Sequence, residues 1–183
     1  MAATLTAATL TAKTSNRITA SKPVPGSVAN SALAPLSLSE DLETSFTLAF
    51  GTGSGQANHV VRQDRQLAAG ASETLDLFAG LTDIFGVAST GFTNLKYLKI
   101  EQVANPSGTN GSGLTIGNAA ADQFVGWFGA AAHTHALEYG GMPYVAGSAG
   151  GKTVSNTVKN LKITNADGSN AITYRITAIG VAA

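Results

Sequence analysis

Two histidines, His133 and His135, are separated by a single threonine and form the sharpest chemical feature of the sequence. Successive side chains of a β-strand alternate between its two faces, so histidines two residues apart would lie on the same face. Two imidazoles on one face are suitable metal ligands, but a complete zinc site needs a third and a fourth ligand. His133 and His135 are therefore the metal candidates of this chain.

The further ligands are candidates by residue type only. They are Asp122, Glu138 and His59, and no spacing in the sequence brings any of them close to the histidine pair. Typical zinc patterns carry more ligands at fixed spacing. We therefore favour an ordinary polar strand face or a subunit contact at the two histidines, and we expect no cofactor.

Acidic residues cluster at two places, where Asp64 precedes Arg65 and where Glu73 precedes Asp76 by three residues. A pair of carboxylates can supply acid and base catalysis. Charged residues also protect the edge strands of sheets, and we interpret both clusters as solvated strand edges. The sequence has no Gly-x-Ser-x-Gly motif, and its glycine-rich run at 51–55 lacks the lysine of a phosphate loop. We expect no catalytic residues and no enzymatic activity.

Aromatic residues are the better candidates for binding. One group comprises Phe124, Trp127 and Phe128, and a second comprises Tyr139 and Tyr144 on either side of a Gly-Gly-Met-Pro turn. The large area of the first group favours a plug under a long loop. Aromatic residues are also enriched at the centres of protein interfaces, and tyrosines around a turn could stack on a sugar. All five are candidate interface residues.

The elements that would position these residues are short strands. Apolar residues recur with a period of two from residue 44 onward, and the runs lie at 46–50, 60–67, 74–77, 92–103, 114–116, 134–139, 153–158, 160–164 and 172–179. Turns rich in Gly, Asn and Ser separate them. This spacing is typical of an antiparallel sandwich or barrel.

Two of these runs carry more specific predictions. Leu95 and Leu98 have opposite parity in the run at 92–103, so we expect a β-bulge or a single initial turn there. The turn at 165–170 predicts a C-terminal hairpin in which Leu161 and Ile163 face Tyr174 and Ile176.

The first 43 residues differ from the remainder because they contain no Trp, Tyr or Phe. A segment made mostly of Ala, Thr, Ser and Leu has too little apolar surface to offset the entropy of ordering it alone. We predict an extended N-terminal arm at 1–43, paired with the sheet edge of a neighbouring molecule, and a β-sandwich domain at 44–183.

Composition narrows the partners. The chain has 11 basic and 11 acidic residues and no cysteine. It therefore lacks the positive charge that nucleic acid or an anionic membrane would require, and it has neither disulfides nor cysteine-based zinc sites. No apolar stretch approaches the roughly 18 residues of a membrane span, and the N-terminus lacks a secretory pattern, so we expect synthesis in the cytoplasm.

A series of strand and turn motifs in a fixed order completes the sequence picture. The segments are residues 65–77, 81–86, 92–100, 114–119, 160–165 and 172–176. In this order they resemble the small capsid decoration or cement proteins encoded by tailed bacteriophages, across about residues 44–181. The chain departs from that pattern at residues 139–143, where related sequences tend to have a Pro-Gly-Gly turn.

The resemblance implies a jelly-roll-like β-sandwich that decorates or cements a capsid and contributes no catalytic residues. The implied partners are further copies of the chain, with a trimer as the expected oligomer, and a major capsid protein. The implied location is the virion, after synthesis in the host cytoplasm. The alternative is a carbohydrate- or receptor-binding module of a tail or fibre, with the turn at 139–144 or the loop at 124–128 as the contact.

Overall fold

The computed structural model describes residues 10–22, 36–82, 88, 90–104, 113–138, 141 and 143–182. Within these ranges the strands are β1 (Leu10–Lys22), β2 (Leu36–Phe50), β3 (Gln56–Ala57), β4 (His59–Leu67), β5 (Ser72–Asp76), β6 (Phe92–Ala104), β7 (Leu114–Gly117), β8 (Thr134–Leu137), β9 (Tyr144–Thr153), β10 (Asn160–Asn165) and β11 (Ile172–Ala182). No helix in the described part of the chain is long and apolar enough to cross a membrane.

Eight of the strands form two four-stranded antiparallel sheets. The strand order is β4-β11-β6-β9 in the first sheet and β5-β10-β7-β8 in the second. Of the seven connections between β4 and β11, six cross from one sheet to the other, and only β7 to β8 stays within a sheet. This arrangement is an eight-stranded jelly roll, and the predicted jelly-roll-like sandwich is confirmed.

The main core lies between the two sheets. Strict alternation of buried and half-buried residues along β10 and most of β11 turns Leu161, Ile163, Tyr174 and Ile176 into it. The predicted hairpin between these segments is wrong in its pairing, because β10 bonds to β5 and β7 whereas β11 bonds to β4 and β6. The four side chains therefore meet across the core, from opposite sheets.

A buried asparagine explains why the turn after β10 crosses between the sheets. Asn165 is 1% exposed, and its side-chain amide donates to the carbonyl oxygens of Leu67, Ala68 and Asn170 at 3.3, 2.9 and 2.8 Å. These bonds tie the end of β10 to the end of β4 in the other sheet. The connection at 166–171 is thereby held as a wide crossing and not as a tight hairpin turn.

The predicted bulge in β6 is confirmed at Lys96. The register against β11 pairs Tyr97 with Ile179 and Leu95 with Gly180, so Lys96 is the extra residue. Because of this shift, Leu95 and Leu98 both face the main core, and Tyr97 lies on the outer face of the first sheet.

One predicted strand is wrong. The run at 153–158 is a turn closed by a bridge between Ser155 and Val158, and the strand in this region is β9, at Tyr144–Thr153. The Gly, Ala and Ser residues of β9 are typical of a turn. They form a strand here because β6 offers a pairing edge, and Gly151 adopts a positive φ of 72° within the register irregularity between β6 and β9.

The N-terminal region forms a long hairpin. All 13 residues of β1 pair antiparallel with β2, from Leu10 opposite Leu48 to Lys22 opposite Leu36. Residues 10–22 thus have a partner strand within the chain, and β1 is the outermost strand of this sheet, so the expected pairing of its other edge with a neighbouring molecule stays a prediction. β2 also runs through the boundary predicted at residue 43 and joins β3 in parallel register.

Candidate functional site

An aromatic cluster lies between the edge strands of the two sheets, on one side of the sandwich. β8 and β9 are the outermost strands of their sheets, and the rings of Phe128, His135 and Tyr144 meet between them. Phe128 and Tyr144 are stacked, with centroids 5.4 Å apart and planes 6° apart. His135 lies against the same tyrosine at 5.0 Å and 55°. We call these three residues the edge cluster.

The loop before β8 positions this cluster through a buried anchor. Phe124 is 0% exposed and belongs to the main core, so its ring packs within the chain. Trp127 meets Phe124 edge-on at 5.9 Å, and the amides of Phe128 and Gly129 both donate to the carbonyl of Val125. Trp127 and Phe128 are consequently half-buried, which leaves part of each ring at the surface.

His133 is fixed by a hydrogen bond to the same loop. Its Nδ1 lies 2.7 Å from the carbonyl oxygen of Phe128, and a carbonyl can only accept, so Nδ1–H is the donor and, in the neutral ring, Nε2 is the acceptor nitrogen. That tautomer suits metal binding through Nε2. Among the described residues, however, no group of three His, Asp or Glu side chains could hold a metal ion.

The other metal candidates lie elsewhere. His59 is on β4, at the far edge of the first sheet from β9, with its ring 4.9 Å from that of Phe92. The carbonyl of Asp122 accepts the amides of Lys159 and Asn160 at the start of β10, and β7 separates β10 from β8. Glu138 is exposed just after β8, and Tyr139 lies outside the described residues.

The sequence suggested that Glu73 is a solvated charge at a strand edge, but its side chain is only 20% exposed. Its two carboxylate oxygens accept different donors: the Tyr174 hydroxyl at 2.7 Å and the Arg65 guanidinium at 2.5 and 2.8 Å. Burial and this carboxylate together raise the pKa of Tyr174. The hydrogen bonds of Arg65, Glu73 and Tyr174 thus connect β4, β5 and β11 through partly buried polar side chains.

The Asp76 carboxylate also has hydrogen-bond partners within the chain. It accepts from Lys159 at 3.0 Å and from the amides of Phe78 and Ala79 at 2.8 and 3.1 Å. Partial burial acts to raise the pKa of Asp76, but these three hydrogen bonds outweigh it and lower the pKa. Glu73 and Asp76 are paired with different basic side chains, Arg65 and Lys159. The two carboxylates are therefore not arranged as an acid and base pair that faces one substrate position.

A charge ladder crosses the outer face of the first sheet. Arg175 on β11 holds Asp64 on β4 through two bonds of 2.6 and 2.8 Å. It also approaches Glu101 on β6 at 3.6 Å, and Lys99 completes the ladder at 2.7 Å from Glu101. The central part of this face is therefore ionic.

One end of the same outer face is apolar instead, and it holds the base of the hairpin. Leu48 is 1% exposed and packs with Ala57, Tyr97 and Ile179. The Phe46 ring stacks on Tyr97, with centroids 5.9 Å apart. We call this group the hairpin root. Sequence reasoning missed it, although the alternation at 46, 48 and 50 showed that one face of that strand is apolar.

Searches of protein-family models, of curated proteins and of solved structures find no match to the chain. A functional assignment therefore depends on the hairpin root, the edge cluster and the paired charges.

Proposed function

We propose that this chain is a non-enzymatic structural protein of a virion, in which the jelly roll decorates or cements the capsid and the β1–β2 hairpin reaches a neighbouring surface. The observation that supports this role is the hairpin itself. It has 13 paired residues in β1, and the sandwich holds it at the root formed by Phe46 and Leu48.

The mechanism is contact area repeated by symmetry. At about 3.3 Å per residue, a hairpin of this length spans roughly 43 Å, which exceeds the width of a single sheet. Each contact of such an arm is modest, but many copies on a closed shell multiply it. The expected partners are further copies of the chain, as a trimer, and a major capsid protein.

The charges of the sandwich support a structural role. The acidic residues that sequence analysis considered for catalysis are each bound to a basic partner: Glu73 to Arg65, Asp76 to Lys159 and Asp64 to Arg175. An equal number of basic and acidic residues also suits dense packing of copies, because like-charged subunits would repel one another.

The direct test is the composition of the particle. Virions of the virus that encodes this chain should be purified by density gradient and quantified by mass spectrometry against the major capsid protein. We expect the chain at a fixed stoichiometric ratio in intact particles. Its absence from purified particles, together with its presence in the infected lysate, would reject the virion role.

A second candidate is a carbohydrate- or receptor-binding module, which the partly exposed edge cluster favours. Tyr144 on β9 would be the stacking ring, but it is already in contact with Phe128 and His135, which leaves less of its face for a sugar. Glycan-array binding by the wild type that disappears in Tyr144→Ala would support this candidate. Phe50→Ala, at a ring that is 38% exposed, is the matched control.

A further inference from the structure

Charged residues are distributed unevenly along the sandwich. Residues 59–101 include nine Asp, Glu, Lys or Arg residues, whereas the 50 residues from 102 to 151 include only Asp122 and Glu138. The second segment contains β7, β8 and most of β9, and β8 and β9 are the edge strands on one side of the sandwich. The charge-poor part of the sequence thus supplies both edge strands of that side.

The side formed by these two strands is neutral and partly apolar. We define the β8–β9 side as residues 124–137 and 144–151, and neither range contains Asp, Glu, Lys or Arg. Three of the four residues of β8 are exposed, and Val145 of β9 is 42% exposed. The half-buried rings of Phe128 and Tyr144 stack between the two strands. The β8–β9 side therefore presents aromatic and aliphatic surface to solvent.

The charges that flank the β8–β9 side lie at its ends. Glu138 follows the last residue of β8, and Lys152 lies near the end of β9, opposite Leu95. Asp122 belongs to the start of β10, which β7 separates from β8. Each of these charges is at the rim of the neutral surface or beyond it.

The opposite side of the sandwich is protected by charge. Its edge strands are β4 and β5, and they carry Arg62, Asp64, Arg65, Glu73 and Asp76. Charged residues on an edge strand prevent unwanted pairing with other chains. β8 has no charged residue, and in the described part of the chain its only partner strand is β7. An unprotected edge beside aromatic rings is typical of a surface that another protein covers.

We infer that the β8–β9 side is the surface at which three copies of this chain meet around a common axis. Residues close to a symmetry axis face their own counterparts in the other copies. A charged residue at that place meets a like charge, which is unfavourable, whereas a neutral surface meets a neutral surface. The β8–β9 side is neutral over both of its ranges, so it fits further copies of itself.

The other described surfaces of the sandwich are less suited to this position. The outer face of the first sheet has the charge ladder of Asp64, Arg175, Glu101 and Lys99, and the outer face of the second sheet has Lys162. Three copies of either face around an axis would place like charges close together. A strongly charged partner of another kind would find no counter-charge on the β8–β9 side. Among these surfaces, the β8–β9 side is therefore the one suited to contact with itself.

The size of the β8–β9 side fits a contact that the hairpin completes. The eight residues 144–151 span about 26 Å at about 3.3 Å per residue. Two sheets about 10 Å apart, with their outer side chains, give a thickness of roughly 20 Å and an area of about 500 Å². A stable contact buries about 800 Å² on each partner, and a copy in a trimer has two neighbours. The β8–β9 side is therefore too small to close a trimer alone, and the β1–β2 hairpin, proposed to reach a neighbour, supplies the remaining area.

This inference rests on the proposed function and names the partner of one surface, and purified full-length chain is sufficient to test it. The matched variants are Thr134→Glu and Thr74→Glu, at exposed threonines on β8 and β5, the two edge strands of the second sheet. Both variants add one negative charge, so net charge alone cannot explain a difference between them. Because both side chains are exposed, neither substitution disturbs the main core.

Sedimentation equilibrium should show a reversible trimer for the wild type and for Thr74→Glu. We expect Thr134→Glu to raise the dissociation constant at least about a hundredfold, because three like charges are brought together near the axis. Val145→Ala, which adds no charge and removes exposed apolar surface, should raise it about fivefold. Near-ultraviolet circular dichroism, which reports the buried Tyr174 and Phe92 of the sandwich, checks folding.

Cross-linking tests the proximity of the copies separately from their affinity. The chain contains no cysteine, so a single introduced thiol reports where two copies come close. Thr134→Cys should give a covalent dimer with a short bismaleimide, because two of the three thiols around the axis are joined. Thr74→Cys, at the other edge of the same sheet, should remain free of cross-links at the same protein concentration.

A wild type that remains monomeric or forms a dimer at about 100 µM, where weak complexes already form, would overturn the inference. Equal association of the two glutamate variants, or equal cross-linking of the two cysteine variants, would also overturn it. None of these results touches the virion role, because a monomer or a dimer can still bind a capsid. Conversely, a chain that forms trimers through this side but is absent from purified virions would retain the contact and reject the virion role.

Discussion

The Phe46 ring lies on the Tyr97 ring, with centroids 5.9 Å apart and planes inclined by 20°, and this contact joins the hairpin to the sandwich. Tyr97 can take part only because the bulge at Lys96 turns it outward while its neighbours Leu95 and Leu98 stay in the main core. A one-residue irregularity in β6 thus provides the surface on which the hairpin is rooted.

Replacing Phe46 should loosen the hairpin without unfolding the jelly roll. Because the ring is half-buried, Phe46→Ala should cost about 2 kcal/mol, roughly half of the typical loss for a core phenylalanine. Hydrogen exchange should then be faster in β1 and β2 and unchanged in β11. Phe50→Ala, on the same strand at a ring that is 38% exposed and outside the hairpin root, is the control. Equal loss of protection in both variants would contradict an anchoring role for Phe46.

Removal of residues 2–40 should leave a folded sandwich that no longer attaches to capsids or closes its oligomer. The truncated chain retains Phe46 and Leu48, and with them the contacts that cover Tyr97. We expect a cooperative thermal transition, with loss of co-sedimentation with capsids. Undiminished capsid binding by the truncated protein would exclude the hairpin as the attachment element.

Loss of Asn165 should strongly destabilise the sandwich. The buried amide donates to three carbonyl groups, and Asn165→Ala would remove these hydrogen bonds at the crossing between the sheets. We expect a loss of about 3 kcal/mol in the free energy of unfolding, measured by urea denaturation. Asn156→Ala, in the exposed turn after β9, should change it little. Similar losses in both variants would argue against the tie between β4 and β10.

Asp76 should contribute a pH dependence to stability. Its pKa is lowered in the folded state from an ordinary value of 3.8, so its contribution is present above that pH and is lost as the pH falls through the folded pKa. Asp76→Asn should therefore be less stable than the wild type at pH 7, and the difference in melting temperature should shrink below about pH 3.8. Lys159→Met, which removes one of the three donors, should weaken the same pH dependence. A constant difference at all pH values would contradict this.

The jelly roll was predictable from local patterns because alternation in segments such as 160–165 and 172–179 is imposed directly by a core on one side of each strand. The pairing was not. Leu161 and Tyr174 face each other equally well in a hairpin and across a sandwich, and the two are distinguished only by long-range contacts, which are the pairing of each strand with other strands and the tertiary bonds of Asn165. β9 was missed for a similar reason, since Gly and Ser carry no strand signal until β6 provides an edge.

The candidate sites were predictable to a lesser degree. His135 and Tyr144 were singled out as separate features, and the structure brings them together with Phe128 because β8 and β9 share an edge of the sandwich. The hairpin root depends on contacts between residues about 50 and 130 positions apart in sequence, such as Leu48 with Tyr97 and with Ile179. No local pattern encodes such a meeting.

The central position of β11 has a consequence for biosynthesis. This strand follows the other seven strands of the jelly roll in the chain, yet it lies between β4 and β6 and bonds to both. During translation, β4 and β6 must therefore wait with open edges until residues 172–182 have left the ribosome. A chain interrupted before β11 would keep both edges unpaired, and unpaired strand edges are templates for aggregation.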